Sequence, residues 1–215
     1  FFTFTSFDNP YINHAAITED MLNMPERVIQ QEIYAKFLDD TGVVFRNFLE
    51  VMTAVPEKDP QKGHRYVIGV DLAKVEDFTV LAVYDATNNK QVYQDRFNKI
   101  DWSMQKSRIA SIARKYGDGE NPATLVVDAT GVGDPIVEDL SRMGIPVDPI
   151  KFTNDNKRQM IEKLSNWIET KRLKMIKVDD TIREFSNFTY DISEVTDRIR
   201  YNAPVGFHDD IVIAH

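Results

Sequence analysis

Short, unbroken apolar runs set the frame of the chain, and longer amphipathic stretches fill the space between them. Tyr66–Val70 is continuous and partly β-branched and ends in Asp71; Thr124–Val127 repeats the arrangement and ends in Asp128. Runs of this kind are expected of strands buried on both faces. Strands are predicted over 66–71, 78–84 and 91–97, joined by polar turns such as Ala86–Asn89. Connections this short make the three strands antiparallel neighbours. Asp101 then stands as N-cap of a helix from Trp102 to Tyr116, stopped by Gly117.

The strand at 124–128, a helix over 135–143 and a strand over 146–150 read as a β-α-β unit. A further helix is predicted over 155–170. Apolar segments at 189–192 and 198–201 flank the polar stretch 193–197 and read as a β-hairpin. The chain closes on Gly206-Phe207-His208-Asp209-Asp210, followed by an apolar, helical-looking segment. Residues 1–50 do not read as an independent domain. A helix with an apolar face is predicted from Pro25 to Leu38, Val43–Phe45 reads as a short strand, and 53–62 as a linker. The domain reading is a leader over 1–62 and a core over 63–215.

Composition narrows the chemistry. Cysteine is absent, which removes disulfides and thiolate metal sites and leaves oxygen ligands for any metal. No run reaches the ~18 apolar residues of a membrane span. The opening FFTFTSF lacks the basic and cleavage regions of a signal peptide. A first residue of Phe, and a last helix stopped after about two turns, suggest a fragment cut at both ends. The formal net charge of −8 argues weakly against nucleic acid, although net charge says little about a local groove.

Asp71, Asp128 and the Asp209-Asp210 pair are therefore candidate divalent-metal positions: two at strand ends and one at a helix start. A carboxylate at the end of a central strand loses solvation, so it needs a cation, hydrogen bonds or a raised pKa. Two carboxylates at ~4 Å repel by roughly 4 kcal/mol at an effective dielectric near 20, a cost that a metal relieves. Asp209 and Asp210 diverge by about 100° on a helix, so they do not hold one ion equally. A lone Asp after a strand is more often a turn or cap residue. The joint pattern, together with the family resemblance that its spacing carries, reverses that weighting.

Three antiparallel strands, a helix, then alternating parallel strands and helices is the order of the α/β ribonuclease H-like fold. The chain resembles more narrowly the nuclease domain of the large terminase subunit of tailed bacteriophages. The resemblance rests on GVDLAKVEDFTV, VVDATGVGDPIVEDL, FHDDIV and the leader FTSFDNPYI…MPERVIQQEIYAKFLDDTGVVF. It implies a metal-dependent endonuclease that cuts double-stranded DNA during genome packaging. Two Mg²⁺ or Mn²⁺ ions would stand ~3.5–4 Å apart, Asp71 bridging both, Asp128 and Asp209 each adding a ligand. Asp209 is favoured over Asp210, whose direct contact stays open. The implied partners are DNA, the motor ATPase of the full-length chain, the portal and the small terminase subunit, in the host cell cytoplasm. No GxxxxGK[ST] phosphate loop is present in this chain, so no ATP turnover is expected of it.

For DNA contact the candidates are Lys151, Lys157 and Arg158, in a stretch to Lys177 where bases outnumber acids, together with Arg198 and Arg200 behind the hairpin tip. Lysine and arginine at phosphates give affinity without sequence readout. The bland reading is a solvated helix face. Gly131 and Gly133 read as a turn into a helix rather than a nucleotide loop, and His208 as a solvated histidine more than a proton shuttle. A Holliday-junction resolvase or ribonuclease H shares the fold and metals but not the leader. A non-catalytic ribonuclease H-fold module is the alternative outside enzymes.

Overall fold

The structure, a computed structural model, describes residues 3–36, 42–72, 78–119, 121–130, 133–192, 199–204 and 206–215, with backbone alone at 133, 134, 191 and 192. Seven helices and seven strands are found among them. In chain order they are α1 (His14–Met21), α2 (Glu26–Val28, running on as a π-turn over Ile29–Ile33), β1 (Tyr66–Asp71), β2 (Thr79–Asp85), β3 (Lys90–Phe97) and α3 (Trp102–Lys115). Then follow β4 (Thr124–Asp128), α4 (Gly133–Arg142), β5 (Val147–Ile150), α5 (Asn154–Glu169), α6 (Asp179–Asn187), β6 (Thr189–Ile192), β7 (Ile199–Asn202) and α7 (Asp210–Ala214).

Five strands form one mixed sheet in the order β3-β2-β1-β4-β5, and β6 and β7 pair as a separate hairpin. β1 pairs antiparallel with β2, with Gly69 opposite Ala82 and Asp71 opposite Val80. β1 and β4 run parallel, with Val70 opposite Val127. The strand period of two then divides the side chains between two layers. Ile68, Val70, Leu81, Val83, Leu125 and Val127 pack with Ile109 and Ala113 of α3, with Tyr116 just past its end, and with Leu140 of α4. Val80 and Ala82 face the other way, onto Ile211, Val212 and Ala214 of α7, Ile161 and Ile168 of α5, and Phe185 of α6.

That second layer also takes in Val44, Phe45, Phe48, Val51 and Met52, so part of the 1–62 stretch is built into the core. Phe45 stacks against Phe185 and Phe188, with ring centroids 4.6 and 5.6 Å away. Further upstream, Ile17, Ile29 and Ile33 make a small cluster of their own with Phe7, Met21, Met24 and Tyr34.

The predicted strands and the three central helices stand within a residue or two of their expected bounds. Asp101 caps α3 as expected, its carboxylate accepting from the Met104 N–H at 3.0 Å. The leader departs from expectation. The helix predicted over 25–38 loses regularity early, because Ile29–Ile33 winds as a π-turn and Ala35 takes a left-handed φ of 50°. Its predicted end, 37 and 38, lies outside the described residues. The strand expected at Val43–Phe45 reduces to an isolated bridge from Val43 to Thr189, and α1 and α6 were not foreseen.

Candidate metal centre

The parallel register sets the first two acids side by side. Val70 lies opposite Val127, so Asp71 and Asp128, one residue further, end adjacent strands about 4.8 Å apart. Both continue the face that carries Gly69 and Val126, away from α3 and α4. The carboxyl ends of parallel strands are where open α/β sheets build their sites. The Asp128 carboxylate also accepts from the Thr130 N–H at 2.8 Å, and the Thr130 hydroxyl accepts from the Phe152 N–H at 2.9 Å. These bonds fix the chain as it leaves β4.

The third and fourth acids arrive on α7. A Cβ at Gly69 would lie 1.9 Å from the carbonyl oxygen of Ala214. Glycine is therefore required there: α7 rests directly on the β1 backbone, with small Ala82 alongside. The four-residue step from Ala214 back to Asp210 spans ~6 Å of helix, and Gly69 to Asp71 spans ~6.6 Å of strand. With Ala214 over Gly69, the start of α7 therefore comes level with Asp71. Asp209 is the N-cap residue and Asp210 the first helical one.

Burial pushes the Asp71 carboxyl up to about 8, and Asp210, Asp128 and Asp209, in that order, push further in the same direction, while Lys157 opposes them. All four aspartates thus share one electrostatic neighbourhood. Among the described residues, however, no three acids or imidazoles stand close enough to form a ready-made metal cage. The two findings are compatible, since charge coupling reaches well beyond ligand distance and mutual repulsion holds carboxylates apart. The donor set is all oxygen and carries surplus negative charge, which fits a hard divalent cation.

Two side chains hold this end of α7. Glu184 on α6 is buried, and its Oε2 accepts from the Ile211 N–H at 2.7 Å. Its Oε1 faces Arg96 Nη2 at 3.4 Å, and the Arg96 guanidinium stacks on Phe78 at 3.7 Å from the ring centre. Burial pushes the Glu184 carboxyl up to about 7, with the Ile211 bond and Arg96 opposing and Asp210 and Asp209 adding to the rise. Glu184 was missed in the sequence, although Asp179-Asp180 followed by Ile182 and Phe185 is a legible helix start with an apolar face. Lys157 on α5 is the second, its Nζ lying 3.3 Å from Asp209 Oδ2.

The remaining candidates are spread more widely. Arg158 pairs with Glu162 on its own helix at 3.0 Å, Lys151 is exposed before α5, and Arg200 is exposed on β7. Arg198 and the hairpin tip lie outside the described residues, as does Gly131. His208 is half exposed and stands 3.6 Å from Asp210 Oδ2. Of the DNA-contact candidates, Lys157 is one that the fold brings onto an aspartate of this group, Asp209.

The strand order, the paired aspartates at β1 and β4 and the acid-bearing last helix define a ribonuclease H-like nuclease fold. The sequence model of the terminase RNaseH-like domain matches residues 68–212, and the chain belongs to that family. The large terminase subunit of Thermus virus P23-45 is 29% identical over 206 residues, which cover 91% of this chain and 41% of that protein. The chain thus spans about two fifths of the length of the curated relatives it matches. The large terminase nuclease of thermophilic phage G20c superposes with a TM-score of 0.73 at 27% identity, covering 81% of this chain and 95% of that one. That nuclease has been crystallised with bound magnesium and with bound cobalt. The nuclease domain of the large terminase of Thermus phage P74-26 superposes with a TM-score of 0.69 at 25% identity, covering 80% of this chain and 90% of that one.

Proposed function

We propose that this chain is the nuclease part of a viral large terminase subunit, hydrolysing phosphodiester bonds of double-stranded DNA when the genome concatemer is cut for packaging. The observation that supports the reading is geometric: Asp71 and Asp128 end adjacent parallel strands, and α7, seated on Gly69, carries Asp209 and Asp210 at its start. Asp71, Asp128 and Asp209 would hold Mg²⁺ or Mn²⁺, two ions in all, with Asp210 in support. The bound metal supplies an activated water and stabilises the leaving oxygen. The protein's own part is positional. β1 and β4 present two carboxylates at fixed spacing, and Gly69 lets α7 sit low enough to add the third. Glu184 and Arg96 keep the start of α7 in place.

Residues 1–62 are read as the segment leading from the motor ATPase of the full-length protein, which works in the host cytoplasm with the portal and the small terminase subunit. Lys151, Arg158, Arg198 and Arg200 are the proposed phosphate contacts. Supercoiled plasmid incubated with Mn²⁺ should be nicked and linearised, and EDTA should abolish this. Asp128→Ala should lose both cleavage and most of the Mn²⁺-induced rise in Tm. A variant that gains as much from Mn²⁺ as the wild type would remove Asp128 from the ligand set.

A further inference from the structure

We propose that Lys157 is a built-in counter-cation for the acidic cluster, holding Asp209 in the metal-free protein and giving it up when a divalent cation binds. This rests on the metal-site reading above and goes beyond it, assigning Lys157 to the control of metal occupancy rather than to DNA.

The placement is specific. Lys157 sits in the first turn of α5, and that turn is tied down on three sides. The Thr153 hydroxyl accepts from the Asn156 N–H at 3.2 Å, and the Asn156 side chain accepts from the Thr153 N–H at 2.7 Å. The Asn156 amide also donates to the Lys151 carbonyl at 2.9 Å, and the Asn154 amide to the Ile199 carbonyl at 3.1 Å. A cation this near a helix N-terminus opposes the macrodipole, so α5 itself gains nothing from it. What the position provides is reach into the cluster. The ammonium lies 3.3 Å from Asp209 and 6.0 Å from the centre of the Phe188 ring, and only 23% of the side chain is exposed. Of the charges acting on Asp71, three carboxylates favour its proton and the ammonium of Lys157 opposes it.

Among the described residues, Lys157 occupies one carboxylate oxygen of a cluster that four aspartates share. A divalent cation ligated by Asp209 would face a fixed positive charge a few ångströms away, so the lysine and the metal compete for the same carboxylate. The absence of a ready-made cage among the described residues agrees with this: Asp209 is engaged by the lysine and must turn to become a ligand. Lys157 is thus a positioning residue, with an effect on metal binding opposite in sign to that of an ordinary supporting contact.

The opposite sign makes the test sharp. Calorimetric titration of this chain with Mn²⁺ should show Lys157→Gln binding roughly tenfold more tightly than the wild type, while its metal-free Tm falls. Lys157→Arg should keep wild-type affinity, and so should Lys163→Gln, whose exposed charge lies further along α5. A folded Lys157→Gln protein with unchanged or weaker Mn²⁺ affinity would overturn the exchange while leaving the metal site standing. If the wild type binds no Mn²⁺, both readings fall together. A second measurement needs no variant and covers the case in which Lys157→Gln fails to fold. Acetylation of Lys157 in the wild type, followed by mass spectrometry, should be slow in EDTA and several times faster in saturating Mg²⁺. A rate that Mg²⁺ leaves unchanged or lowers would refute the displacement.

Discussion

Two carboxyls here work against their surroundings, and each carries a prediction at the scale of the residue. Burial pushes the Asp71 carboxyl up to about 8 in the fold, against about 4 in an unfolded chain. A folded pKa raised in this way adds stability that is complete below the unfolded value and disappears as pH climbs through the folded one. The Tm of the metal-free chain, measured in EDTA, should therefore fall between pH 4 and 8, and Asp71→Asn should flatten that fall. The same substitution should cut Mn²⁺-dependent plasmid cleavage by more than about 100-fold, since an amide keeps the shape but loses the charge. Cleavage near the wild-type level would remove Asp71 from the centre. At Glu184 the expectation is structural. Glu184→Ala leaves the Ile211 N–H and Arg96 without this partner and should cost about 2 kcal/mol in denaturant unfolding, whereas Glu184→Gln, which still accepts from Ile211, should cost about half as much.

Among the elements, α7 depends most on its seat. Gly69→Ala would put a methyl 1.9 Å from a backbone carbonyl that has no flexible end to move. The helix must lift, at about 3 kcal/mol, and take Asp209 and Asp210 with it. The expected result is a folded but less stable protein whose Tm no longer responds to Mn²⁺. An unimpaired metal response would mean that the height of α7 does not matter. The same elements show what was legible beforehand. β1 and β4 could be read because burial on both faces forces an unbroken apolar run, and the charged residue ending each run stands out. α3 could be read from its Asp101 cap and its glycine stop. Lys157 was readable as a cation, but its pairing with Asp209 depends on the packing of two distant helices, which periodicity does not encode. The need for glycine at 69 was hidden for the same reason, since it lies in a close approach from the other end of the chain. The helix predicted over 25–38 winds over 26–33, but a π-turn and a left-handed Ala35 break its regularity, which an apolar face does not reveal.

For the molecule as a whole, the acidic balance and the few basic side chains near the site set how it should meet DNA. A formal charge of −8 with a small number of phosphate contacts predicts weak binding that is lost steeply as salt rises. Plasmid cleavage by this chain should be slow, indifferent to sequence and largely suppressed by about 200 mM salt. A map of cut sites showing one preferred sequence, or activity undiminished at high salt, would contradict it. Phe45 and Phe48 bear on where the protein can be divided. A piece beginning at residue 63 would uncover Phe185 and Phe188, so it should aggregate where one beginning near residue 42 stays in solution. The seating of α7 has a consequence for the chain's synthesis. A ribosome makes Asp71 well before Asp209, and the glycine seat in β1 waits for a helix that does not yet exist. Until α7 has emerged and docked, a nascent chain holds two of the acids and cannot close the centre.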